Sequence, residues 1–133
     1  MTLVLCLDDG AGRMFNHRRQ SRDRLQMEDL LSTVGERRLL VSPYTAALVP
    51  HDTPNVIVTE AFDTAREEDV VFLEDGDPAP LWASVKTLVI YRWNRLYPAD
   101  VRLTADLSAF RLQSREEFQG SSHDRITKEV WIR

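Results

Sequence analysis

Five short apolar runs punctuate the first two thirds of the chain: "TLVLCL" (2–7), "RLLVS" (38–42), "NVIVTE" (55–60), "VVFLE" (70–74) and "TLVIYRW" (87–93). They are nearly continuous rather than alternating, the pattern of strands buried on both faces of a parallel sheet. The stretches between them favour helices. Ser21 is a candidate N-cap, with Asp23 in the first turn, where a carboxylate suits the helix dipole. Leu25, Met27, Leu30, Leu31 and Val34 then form an apolar face, and Gly35 is a stop signal. "PYTAALV" (43–49), "AFDTAREED" (61–69) and a brief segment at 80–85 are also expected to be helical. By contrast, 109–118 and 125–133 alternate apolar and polar residues, with "QGSSHD" as the loop of an antiparallel pair. The expected fold is a single α/β domain spanning 1–133. It has three layers and a mixed, mostly parallel central sheet with antiparallel C-terminal edge strands.

With 133 residues, 43% of them apolar, the chain can bury one sizeable core. No apolar stretch approaches the roughly 20 residues of a membrane helix. "MTLVLCLDDG" lacks a basic region before its apolar run, which argues against a signal peptide. Cys6 is the only cysteine, so no intramolecular disulfide can form, and a reducing, cytoplasmic setting is the expectation.

A net charge of −4 exerts no general attraction on nucleic acid, but the charge is unevenly spread. "MFNHRRQSRDR" (14–24) holds four arginines and a histidine around one acid, whereas 60–77 is strongly acidic. Asn16, His17, Arg18, Arg19 and Arg22 follow the first strand, where open α/β sheets receive ligands, and arginine forks suit phosphate or carboxylate. The alternative for such a run is a solvated loop. Asp23 has two readings: a carboxylate at the mouth of the sheet, or a helix acid neutralised by Arg22 or Arg24, whose charge would lower its pKa. Arg92, at a buried strand end, requires either a ligand or a carboxylate such as Asp8 or Asp9.

Other signals carry less. No pair of Cys or His residues has metal-ligand spacing, so no metal is expected. "GSSHD" (120–124) reads as a hairpin loop, because triad members converge from separate elements rather than from adjacent positions. Cys6 reads as a small hydrophobe.

The order of elements resembles dihydrofolate reductase. The resemblance runs through "LVIYRWNRLYPADVRLTADLSAFRLQSREEFQGSSHDRITKEVWIR" (88–133), through "TLVLCLDDGAGRMFN" as first strand and following loop, and through "SRDRLQMEDLL" as first helix. It implies that Asp23 lies close to the family's active-site acid. It also implies that "SPYTA" aligns with the phosphate-binding Gly-Arg-Xaa-Thr turn, of which Thr45 remains. The chain departs from the family where a Gly-Gly pair admits the nicotinamide cofactor. In "FLEDGDPAP", Glu74 and Asp75 stand in place of those glycines, and their side chains and charge oppose ordinary NADPH-dependent reduction. No other cofactor is implied.

Two classes of function follow. One is a divergent member of this fold with an arginine-lined site for a small anionic or nucleotide-like ligand, its ordinary reductase activity lost. The other is a non-catalytic interaction module, immunity-type or a regulatory subunit, that turns the basic 14–24 face to an acidic protein partner. Neither involves nucleic acid or a membrane, and neither sets an oligomeric state.

Overall fold

The structure is a computed structural model that describes all 133 residues. The first apolar run forms β1 (Thr2–Leu7), at the heart of a seven-stranded sheet. It is followed by β4 (Leu39–Val41), β5 (Val56–Val58), β6 (Val70–Phe72) and β7 (Thr87–Arg92). These strands run parallel to one another, and β9 (Arg111–Phe118) and β10 (Ile126–Ile132) complete the sheet antiparallel, in the order β5-β4-β6-β1-β7-β10-β9. Thus β10 lies inside the sheet and the long, exposed β9 forms its edge.

The pleat sorts each strand's side chains by parity. Leu3, Leu5, Leu40, Val71, Leu88 and Ile90 face one core. Val4, Leu39, Val41, Phe72, Val89 and Tyr91 face the other. This second face is covered by α1 (Arg24–Val34), whose Met27, Leu30 and Val34 pack onto it. Leu30 is fully buried, and such a side chain contributes about 2 kcal/mol by leaving water. A polar clasp adds to the apolar contact. Tyr91 Oη donates to Asp29 Oδ2 at 2.6 Å, and Lys128 Nζ sits 2.9 Å from the same carboxylate, tying α1 to β7 and β10. The first core is covered by 3₁₀ segments at Phe62–Thr64, Ala79–Ser84 and Leu107–Ala109, with Leu81 and Phe110 packed inward. No helix is long and apolar enough to cross a membrane.

Two local expectations are corrected. The 61–69 segment is not a full helix but one 3₁₀ turn: the only apolar side chains it packs against the core are Phe62 and Ala65, and the buried Asp69 carboxylate accepts the Arg66 N–H instead of continuing the helix. Residues 12–19 are not a loop leading into the helix. They form a hairpin of β2 (Gly12–Phe15) and β3 (Arg18–Arg19), joined by β8 (Val101–Arg102) in a small antiparallel sheet. Its turn places Asn16 and His17 at φ 51° and 62°, the left-handed pair that a two-residue hairpin turn requires. The remaining short helix, α2 (Pro43–Ala46), is capped by Ser42.

Candidate functional site

The N-terminus of α1 meets the loop between β9 and β10 at the C-terminal end of the parallel strands. Asp23, not Ser21, is the N-cap, with extended backbone and a fully buried side chain. Its Oδ1 accepts from the N–H groups of Leu25, Gln26 and Ser121 at 3.0, 3.1 and 3.0 Å. Its Oδ2 accepts from Ser122 N at 2.7 Å and from His123 Nδ1 at 2.9 Å. Burial opposes the ionised form. The His123 bond and the backbone N–H groups outweigh it and hold the carboxyl well below its usual range. Neither Arg22 nor Arg24 pairs with Asp23, so the arginine explanation of this shift is replaced by hydrogen bonding. Gly120 makes room for the arrangement, since a Cβ there would overlap the Asp23 carboxylate.

His123 is the site residue that sequence reasoning missed. Only 5% exposed, it stacks on Trp93 with ring centroids 4.5 Å apart and planes 17° apart. Ionised Asp23 has no proton to offer, so His123 Nδ1 carries the hydrogen of this bond, and in the neutral ring Nε2 is then the acceptor. Ser21 Oγ lies 2.9 Å from Nε2 and Tyr97 Oη 3.1 Å. The hydroxyls themselves are 3.4 Å apart.

Beside this network lies a cleft of about 480 Å³. Cys6, Phe72 and Trp93 line it from the sheet, Gln26 and Met27 from α1, and Leu48 from the chain after α2. Burial pushes the Cys6 thiol well up, with the charge of Glu74 as a smaller contribution. Ser21, Arg22 and Glu74 also open onto the cleft. Gln26 is 3% exposed, and its Nε2 has no hydrogen-bond partner. Nothing in the residue pattern distinguished Gln26 from an ordinary helix glutamine.

The arginines expected to form one anion site are dispersed. Arg19 donates to Glu74 through Nε at 2.9 Å and Nη2 at 3.1 Å, and its guanidinium lies 4.2 Å over the Tyr44 ring. Thr45 Oγ1 donates to the same Glu74 at 2.8 Å, and Ser42 Oγ donates to Asp75 at 2.8 Å. Arg13, which the sequence did not single out, is buried and donates to the carbonyls of Glu74 and Gly76. The hairpin is therefore fastened to the turn after β6, and Arg19 and Thr45 are engaged internally. Arg92 pairs with neither Asp8 nor Asp9. Glu129, on the neighbouring strand β10, takes its Nε at 2.8 Å, and Asp8 accepts instead from Gly10, Gly12, Tyr97 and Gln20. Asn16, His17 and Arg18 are exposed at the hairpin tip, outside the cleft. Arg22 and Arg24 both line it; Arg24 pairs with Glu28, and Arg22 is exposed and without an ion pair.

No family model matches the sequence, and no curated protein matches it. Among solved structures, dihydrofolate reductase from Enterococcus faecalis, complexed with NADP(H) and RAB-propyl, superposes with a TM-score of 0.71. The match covers 99% of this chain and 95% of that one, at 10% sequence identity. The chain therefore has a dihydrofolate reductase-like α/β fold.

Proposed function

We propose that the cleft between α1 and the sheet binds a small, ring-bearing anion, and that the chain does not carry out ordinary nicotinamide-dependent reduction. The observation that carries the first part is that Gln26, a residue lining the cleft, is buried with no internal partner for its Nε2. A buried donor without a partner costs about 1–3 kcal/mol, which an acceptor on a ligand would recover. Leu31 and Leu48, both partly exposed, offer apolar surface to a ring, and unpaired Arg22 offers its guanidinium to a carboxylate or phosphate. Asp23 makes no part of this recognition, because both its oxygens are already engaged by internal donors.

The second part rests on Glu74 and Asp75. The Enterococcus faecalis enzyme is complexed with NADP(H), and the segment that the resemblance sets against that family's glycine pair carries two carboxylates in this chain. Arg19 and Thr45 anchor one and Ser42 the other. Arg19 neutralises Glu74, so what opposes an approaching pyrophosphate is the space that these paired side chains fill. These residues do not fit a nicotinamide dinucleotide.

Thermal-shift titration with benzoate, AMP, folate and NADPH tests both parts. A ring-bearing anion other than NADPH should raise the melting temperature, and Gln26→Leu or Arg22→Ala should abolish that rise without lowering the unliganded value. Failure of every such anion, or a shift that survives both substitutions, would refute the binding reading. Oxidation of NADPH coupled to reduction of folate would refute the second part.

A second reading is favoured by the hairpin tip. Phe15 is 46% exposed next to Asn16, His17 and Arg18, an apolar anchor with positive charge beside it. A non-catalytic module would seat this tip on an acidic protein. Phe15→Ser combined with Arg18→Glu would then abolish co-elution with the partner and leave cleft binding unchanged.

A further inference from the structure

Ser21, His123 and Asp23 come from two separate parts of the chain and meet in a specific order. Ser21 Oγ lies 2.9 Å from His123 Nε2, and His123 Nδ1 lies 2.9 Å from Asp23 Oδ2. This is the nucleophile, base and orienting carboxylate arrangement that recurs on unrelated folds. His123 cannot drift: it is buried, stacked on Trp93, and held by a carboxylate that four backbone N–H groups fix in place. Ser21 is half-buried and opens onto the cleft, so an incoming group can reach its oxygen.

We propose that Ser21 is the nucleophile of an acyl-transfer site that hydrolyses small carboxylic esters entering the cleft. This rests on the same cleft admitting a ring-bearing ligand. Ser21 Oγ bonds to the ester carbonyl carbon as its proton passes to His123 Nε2, and the carbonyl electron pair moves onto oxygen. As that pair returns, the carbon–alkoxide bond breaks, and His123 delivers the proton to the departing alkoxide, which leaves as an alcohol. Water then adds to the acyl carbon, giving a proton to His123 Nε2. The Oγ–carbon bond breaks, Ser21 recovers the proton, and the acid departs. The net reaction is ester plus water to acid plus alcohol, with no redox partner. Asp23 is a positioning residue: it fixes the tautomer that leaves Nε2 free to accept. Tyr97 Oη, within reach of both Ser21 Oγ and Nε2, holds the hydroxyl in place.

The full chain is incubated with p-nitrophenyl acetate, or with a fluorophosphonate, and the modified residue is located by peptide mass spectrometry. The expected result is an adduct on Ser21. Ser21→Ala, which removes only a half-buried hydroxyl, should lose the adduct and slow p-nitrophenolate release about 100-fold. Nitrogen-15 NMR of the wild-type chain gives an independent readout, with His123 expected to be protonated at Nδ1 and bare at Nε2. An unmodified Ser21, release unchanged in Ser21→Ala, or an Nε2-protonated His123 would each overturn the proposal. If benzoate or AMP raises the melting temperature while Ser21 stays unmodified, acyl transfer fails and the binding reading stands. If Ser21 is modified but no anion binds, the reverse holds.

Discussion

Arg19 and Glu74 are joined by two side-chain hydrogen bonds across the gap between the β2–β3 hairpin and the turn after β6, with only 9% of the Glu74 side chain exposed. The pair closes the region the resemblance assigns to a cofactor. Arg19→Ala strands a nearly buried carboxylate and should cost about 3 kcal/mol in a urea titration. Adding Glu74→Gln should restore part of that loss, because the buried charge goes with it. Equal stability of the two variants would show that the pair is energetically idle.

Gln26 predicts the opposite sign. Gln26→Leu fills the same buried space without an unsatisfied donor, so the unliganded protein should gain about 1 kcal/mol. Paired with the loss of anion binding, this would identify Gln26 as a residue that sacrifices stability for recognition. A destabilised variant would instead show that the amide is satisfied in solution.

Acid should unfold the protein through several carboxylates together. The His123 and backbone donors depress Asp23 against its burial, four donors do the same for Asp8, and the Arg38 guanidinium depresses Asp69. A depressed folded-state pKa contributes stability that is fully present above the unfolded value of about 3.9 and is lost as pH falls through the folded value. These three carboxylates therefore leave the melting temperature level from pH 8 to 5 and lower it below about pH 4. Asp23→Ala should cost about 3 kcal/mol at pH 7, from a lost helix cap and stranded loop donors. Its residual stability should fall less steeply with acid. A slope unchanged from wild type would remove Asp23 from this account.

The hairpin turn carries a correctable strain. His17 sits at φ 62°, where a Cβ is unfavourable. His17→Gly creates the Asn-Gly pair preferred in this turn and should stabilise the chain by about 1 kcal/mol by chemical denaturation. A loss would mean that the imidazole makes a contact that outweighs the strain.

How legible the chain is depends on whether a feature is local. β1 occupies the whole of "TLVLCL", because a strand buried on both faces leaves a continuous apolar run with an acidic stop. The hairpin of 12–19 escaped because its turn is Asn16-His17, without the glycine that usually marks it. The charge of Arg18 and Arg19 also masked a two-residue strand. The carboxylates Glu74 and Asp75 were visible, but not that Arg19 and Thr45 would converge on Glu74 from distant elements. "GSSHD" lies in the loop between β9 and β10, as its turn residues implied. Its His123 nevertheless meets Ser21, 102 positions away, and pairing at that distance leaves no periodicity to detect.

That distance also bears on the order of assembly. The cap of α1 draws on Ser121, Ser122 and His123, and β10 must enter the sheet between β7 and β9. During synthesis the early strands and α1 leave the ribosome long before either becomes available. The nascent chain therefore waits with the Asp23 cap unsupported by its loop donors and the flank of β7 unpaired, a template for stray strands. Slow translation through residues 93–125 would prolong that exposure, and aggregation yield should depend on codon choice there rather than on the stability of the finished fold.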